Sequence, residues 1–205
     1  MLNQNWQTNP LNIAIRIKTN MNRGGYVKNF YVDNVTLPSG VALTGGGYGS
    51  AMLAGSPINS TVPLGVVTAS AANPSAAQGG LITFDCDYQP ANDAVRTRPA
   101  LVQNVNISSV TAGNVTVGGV TGSCFQAIVA QGPAASAYNG PAPTPAIAPI
   151  SGVTITNCNL GTPVCNGTAS ATTPGPIYAY NVNAIALSNV TVGAAVYNTS
   201  VVDSG

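Results

Sequence analysis

An eleven-residue rhythm recurs four times along this chain of 205 residues, and it limits the available folds more than any other feature. It reads VKNFYVDNVTL at 27–37, VQNVNISSVTA at 102–112, ISGVTITNCNL at 150–160 and VNAIALSNVTV at 182–192. In each copy apolar residues alternate with polar ones, then a small polar residue breaks the alternation: Asn34, Ser109, Asn157 or Asn189. Each copy predicts two short strands meeting at a corner. Asn suits a corner because it tolerates left-handed backbone.

Between the copies lies a second set of strand-like runs bounded by glycine: GGLITFDCDY, GSCFQAIVAQG and GPIYAYNV. Strands that recur with unequal connections predict an all-β parallel solenoid in which each coil pairs with its neighbours. A β-sandwich is the competing arrangement. Uneven coil lengths argue against the flat threonine array of an ice-binding solenoid. The chain reads as one domain over residues 1–205, with a long insertion of small residues at 39–80 and a Pro/Ala-rich excursion at 132–149. A solenoid carries such insertions on one side without losing register.

Composition agrees. Charged residues are 5% of the chain, there is no Glu, and Gly (23) and Pro (15) are frequent. That mixture suits strands and tight turns, not helices. A net charge of +1 excludes a nucleic-acid surface spread over the whole molecule. No apolar run approaches the ~18 residues of a membrane span, and MLNQNWQTNPLN does not read as a signal peptide. The four cysteines allow three pairings. Cys158 and Cys165 bracket turn residues suited to a small disulfide loop, while Cys86 and Cys124 sit in different strand-like runs. The alternative is that they are small buried side chains. The spacing suits no zinc site, the chain has no His, and no metal or cofactor is expected. Sequons such as Asn34-Val35-Thr36 and Asn106-Ile107-Ser108 follow from Asn- and Thr-rich strands and corners.

Charge is concentrated. Four of the six Lys and Arg fall within IRIKTNMNRGGYVK: Arg16, Lys18, Arg23 and Lys28. In Ile13–Lys18, alternation puts Ile13, Ile15 and Ile17 on one face, with Arg16 and Lys18 on the other, ~7 Å apart. Two like charges on one face need compensation. The candidates are a nearby carboxylate, such as Asp33, or an anionic ligand that matches a guanidinium fork beside a point charge. Arg23 precedes Gly24-Gly25 and either fixes that turn or lines a cleft, whereas Lys28 is expected to face solvent.

IRIKT followed by RGGYVKNFYVDNV resembles the family 28 glycoside hydrolases, the polygalacturonases, and specifically their bacterial exo-acting type. The resemblance extends through GGLITFDCDYQP and covers nearly all of these residues, matching only the C-terminal part of the family's length. It implies a right-handed parallel β-helix of the single-stranded, pectin-lyase-like kind, truncated on its N-terminal side. It implies that Arg16 and Lys18 grip the carboxylate of a galacturonate unit and that Tyr88 shapes the same subsite. The implied partner is galacturonan or an oligogalacturonate, with neither nucleic acid nor membrane, and the implied parent is secreted or periplasmic.

The family's catalytic acids stand in Asn-Thr-Asp and Asp-Asp motifs and its histidine in Gly-His-Gly; none of these occurs here. Five aspartates remain: Asp33, Asp85, Asp87, Asp93 and Asp203. Asp85 and Asp87 share a strand face ~7 Å apart, a separation that suits an inverting pair. The resemblance places that strand after the family's substrate-binding tripeptide, where no catalytic acid is expected, and so implies a structural role instead, such as pairing with Arg96 or Arg98. This chain alone is therefore expected not to hydrolyse galacturonan. An open first coil is expected to self-associate unless residues 1–12 cap it. Three readings follow: the substrate-binding part of a hydrolase, a non-catalytic acidic-oligosaccharide binder, and a structural solenoid.

Overall fold

The computed structural model describes residues 13–20, 23–43, 80–88, 99–113, 115–117, 126–133, 147–164 and 177–203. Among them every regular element is a strand, so the all-β expectation holds. The strands are β1 (Ile15–Asn20), β2 (Tyr26–Leu37), β3 (Val41–Leu43), β4 (Gly80–Tyr88), β5 (Leu101–Ala112) and β6 (Val115–Val117). They continue with β7 (Gln126–Gln131), β8 (Ile150–Asn159), β9 (Pro163–Val164), β10 (Ile177–Tyr180), β11 (Val182–Val192) and β12 (Ala195–Asp203). The expected runs GGLITFDCDY, GSCFQAIVAQG and GPIYAYNV supply β4, β7 and β10.

From β1 to β11 every third strand joins the same sheet. One sheet has the order β1-β4-β7-β10, a second β12-β11-β8-β5-β2, and a third β3-β6-β9. All neighbours are parallel except β12, which folds back antiparallel on β11.

The four copies of the repeat are the heart of the second sheet, and they pair position for position. Val27 lies opposite Val102, Phe30 opposite Val105, Val105 opposite Val153, and Val153 opposite Ile185. Val32, Ile107, Ile155 and Leu187 form the next inward column. Inside the stack Val105, Ile107, Val110, Val153, Ile155 and Ile185 are at most 1% exposed. Each such side chain contributes on the order of 1.5–3 kcal/mol of burial.

The pattern predicts two short strands per copy, whereas β2 and β5 each run unbroken through 12 residues. All the copies bend at the same places, so ladder hydrogen bonds survive the bend. Asn34, Ser109, Asn157 and Asn189 have φ of 57°, 55°, 52° and 53°, the left-handed corner expected of them. A second corner was not foreseen. It stacks Asn29, Asn104, Gly152 and Ala184, at φ of 55°, 52°, 60° and 59°. Asn side chains ladder along both: Asn104 donates to Asn29 Oδ1 at 2.6 Å and Asn189 to Asn157 Oδ1 at 3.0 Å.

Two sequence expectations need correcting here. The insertion set at 39–80 is not loop throughout, because Val41–Leu43 forms β3 and pairs with β6. The disulfide alternative fails at Cys158, a free buried thiol that donates to Thr156 O at 3.2 Å and accepts from Val110 N–H at 3.4 Å. Burial pushes that thiol's pKa up. It occupies an inward position of the repeat, where a small apolar side chain is wanted. Cys124, Cys165 and residues 1–12 lie outside the described residues.

The third sheet's corner needs glycine. A Cβ on Gly161, at φ 75°, would lie 2.2 Å from Gly113 O. At the far end Gly193 donates to Gly161 O at 2.7 Å, and the turn it opens sends β12 back antiparallel along β11.

Candidate functional site: the outer face of the first sheet

β1 lies at the edge of its sheet, paired in parallel with β4. On the inner face Ile15, Ile82, Ile128 and Ile177 stack in one column, and Ile17, Phe84, Ala130 and Ala179 in another. All are core residues. The opposite face carries Arg16, Thr83 and Val129 in register, and beside them Lys18, Asp85, Gln131 and Tyr180. The expected alternation therefore holds: isoleucines turn inward and Arg16 and Lys18 outward together.

Exposure along this outer face falls off sharply. Lys18 is exposed and the Arg16 side chain 27% exposed, while Asp85 is completely buried. Thr83, Val129 and Gln131 are buried as well. The face therefore runs from a wet, cationic margin on β1 to a dry interior from β4 onward.

The charge compensating the basic pair is Asp85, not Asp33. Arg16 Nη2 donates to Asp85 Oδ2 in a close ion pair. Asp33 lies on β2, in a different sheet, and accepts instead from Ser108 Oγ at 2.7 Å. The physical reason is the strand order: the lateral neighbour of β1 is β4, not the next strand in the chain. The same finding replaces Arg96 and Arg98 as the foreseen partners of Asp85; both lie outside the described residues. Aligning IRIK with ITFD, the run at the same place before the next copy of the repeat, sets Lys18 beside Asp85 and so puts that carboxylate on the face of the basic pair.

Asp85 is an uneasy anion. Its Oδ1 is buried with no hydrogen-bond partner. Burial raises its pKa above the ordinary 3.8, opposed first by the hydrogen bond and charge of Arg16 and then by the charge of Lys18. This group's contribution to stability is thus full below pH 3.8 and is lost as pH climbs through the raised value. Asp33 behaves oppositely, its pKa lowered by hydrogen bonds from Ser108 and Ser109.

Tyr88 ends β4 with its backbone opposite Asn20, and its side chain, like that of Asp87, lies outside the described residues. Arg23 and Lys28 are exposed, and Lys28 Nζ sits 5.6 Å from the centroid of the Tyr26 ring. Among the described residues no group of three His, Cys, Asp or Glu gathers to hold a metal ion.

Together the fold and the site define an all-β protein of three mostly parallel sheets with a basic pair on the outer margin of one of them. No family model, curated protein or solved structure matches the chain.

Proposed function

We propose that the chain is a right-handed parallel β-helix whose outward basic pair binds an acidic sugar. In this reading it is the C-terminal, substrate-binding part of a polygalacturonase-like glycoside hydrolase acting on α-1,4-galacturonan, from a secreted or periplasmic parent. The observation that carries the proposal is the shared face of Arg16 and Lys18, which sets a guanidinium and an ammonium together on the margin of a sheet whose interior is buried. An arginine fork next to a lysine point charge matches a sugar carboxylate. The three-strand recurrence and the in-register repeat support the helical winding.

A non-catalytic version of the same binding is favoured by Asp85. Fully buried and engaged with Arg16, this carboxylate has no room to activate a water in the manner of an inverting base. The sequence has no histidine and none of the family's catalytic acid motifs.

Two measurements test the proposal. Incubation with polygalacturonate is expected to release no reducing ends; sustained release would overturn the non-catalytic assignment. Calorimetric titration with trigalacturonate is expected to show weak, salt-sensitive binding, reduced at least about tenfold in the Arg16→Ala, Lys18→Ala double variant. Binding unchanged in that variant would refute the site.

A further inference from the structure

The Arg16–Asp85 pair poses a question that anion binding alone does not answer. A ligand carboxylate arriving at Arg16 meets a guanidinium that already has a carboxylate of its own. We propose that Asp85 is a proton-operated positioning residue, holding the Arg16 guanidinium against β4 when ionised and yielding its charge to an anionic ligand when protonated. This inference rests on the reading of Arg16 and Lys18 as the anion-binding pair.

The geometry supports it in two ways. Asp85 is wholly buried, so its negative charge is stabilised by few neighbours and not by water. Only Oδ2 meets Arg16, while Oδ1 has no hydrogen-bond partner, so the ionised form is incompletely compensated. Among the described residues, the side chains on its face are these. Arg16 and Lys18 face Asp85 from β1, Thr83 from β4, Val129 and Gln131 from β7, and the Tyr180 phenol from β10. Of these described side chains only Arg16 and Lys18 are charged.

A ligand carboxylate at Arg16 adds a second anion within reach of one guanidinium. Like charges at such spacing oppose joint ionisation. The arrangement relaxes when Asp85 takes one proton from solvent, its carboxylate becoming a carboxylic acid with no other bond made or broken. Binding and proton uptake are then linked: the ligand raises Asp85's affinity for a proton, and the proton raises the site's affinity for the ligand by the same factor.

The test is calorimetric titration of trigalacturonate into the intact chain, at about pH 7 and about pH 5, in buffers of differing ionisation enthalpy. Wild type is expected to take up protons on binding and to bind at least about fivefold more tightly at the lower pH. Asp85→Asn, which keeps the shape and removes the titration, is expected to bind at about pH 7 as wild type does at about pH 5, with no uptake. The ligand's own carboxyls release protons on binding and remain as the baseline in that variant. Wild-type uptake and pH profile persisting in Asp85→Asn would overturn this inference and leave the binding reading intact. Binding undiminished in the Arg16→Ala, Lys18→Ala variant would remove the binding reading itself. Should Asp85→Asn fail to fold, the absence of proton uptake by wild type would suffice to overturn the proposal.

Discussion

Left-handed backbone is common in this molecule, and most residues that adopt it are the ones best suited to do so. Ala184 is the exception. It holds φ 59° at the corner filled by Asn29, Asn104 and Gly152 in the other copies of the repeat. A non-glycine residue there costs roughly 1–2 kcal/mol, and glycine carries an entropic cost of roughly 0.5–1 kcal/mol. Ala184→Gly should therefore gain about 0.5–1 kcal/mol in urea denaturation. Gly152→Ala should lose about 1 kcal/mol or more, because its new Cβ would also press to 3.3 Å from Asn104 N. The corner of Asn34, Ser109, Asn157 and Asn189 was legible in the sequence because polar, turn-prone residues interrupt an apolar rhythm there. The second corner was not, since Ala184 has no turn preference to betray it. Asp85 was misassigned because its partner stands 69 residues away, a separation that the parallel pairing of β1 with β4 explains.

Strands of one column share chemistry but not burial, and their mutational cost should follow the difference. Ile107 is 1% exposed between β2 and β8, whereas Val32 on edge strand β2 is only partly buried. Ile107→Ala is expected to cost about 3 kcal/mol and Val32→Ala about 1 kcal/mol, read from denaturant midpoints at constant m-value. Equal costs would mean that β2 is as enclosed in solution as β5. The long strands were legible because eleven residues leave room for alternation to declare itself. β3, β6 and β9 were not, because strands of 3, 3 and 2 residues are too short to show a period. Those three are fixed by the register their longer neighbours impose.

The two ends of the large sheet differ. At one end β12 lies antiparallel beside β11 and places Tyr197 and Val201 over the core. At the other, among the described residues no strand pairs with the outer edge of β2, its inward Val27, Val32 and Val35 are half-buried, and Tyr26, Phe30 and Tyr31 are 73%, 39% and 67% exposed. Such an edge is a template for pairing. Two copies meeting antiparallel across a twofold axis would bring each Lys28 alongside Asp33 of the other copy, which makes the strand self-complementary in charge. Sedimentation velocity is expected to show concentration-dependent dimers, weakened about tenfold by Tyr31→Lys. A monomer at every concentration, or dimers indifferent to that substitution, would contradict this. The reversal at β12 also gives the molecule a direction of growth. Among the described strands, one more copy of the repeat laid parallel on β2 would extend the sheet in its own sense. The same copy laid on β12 would meet a strand running the wrong way, so by design this sheet accepts extension at one end and refuses it at the other.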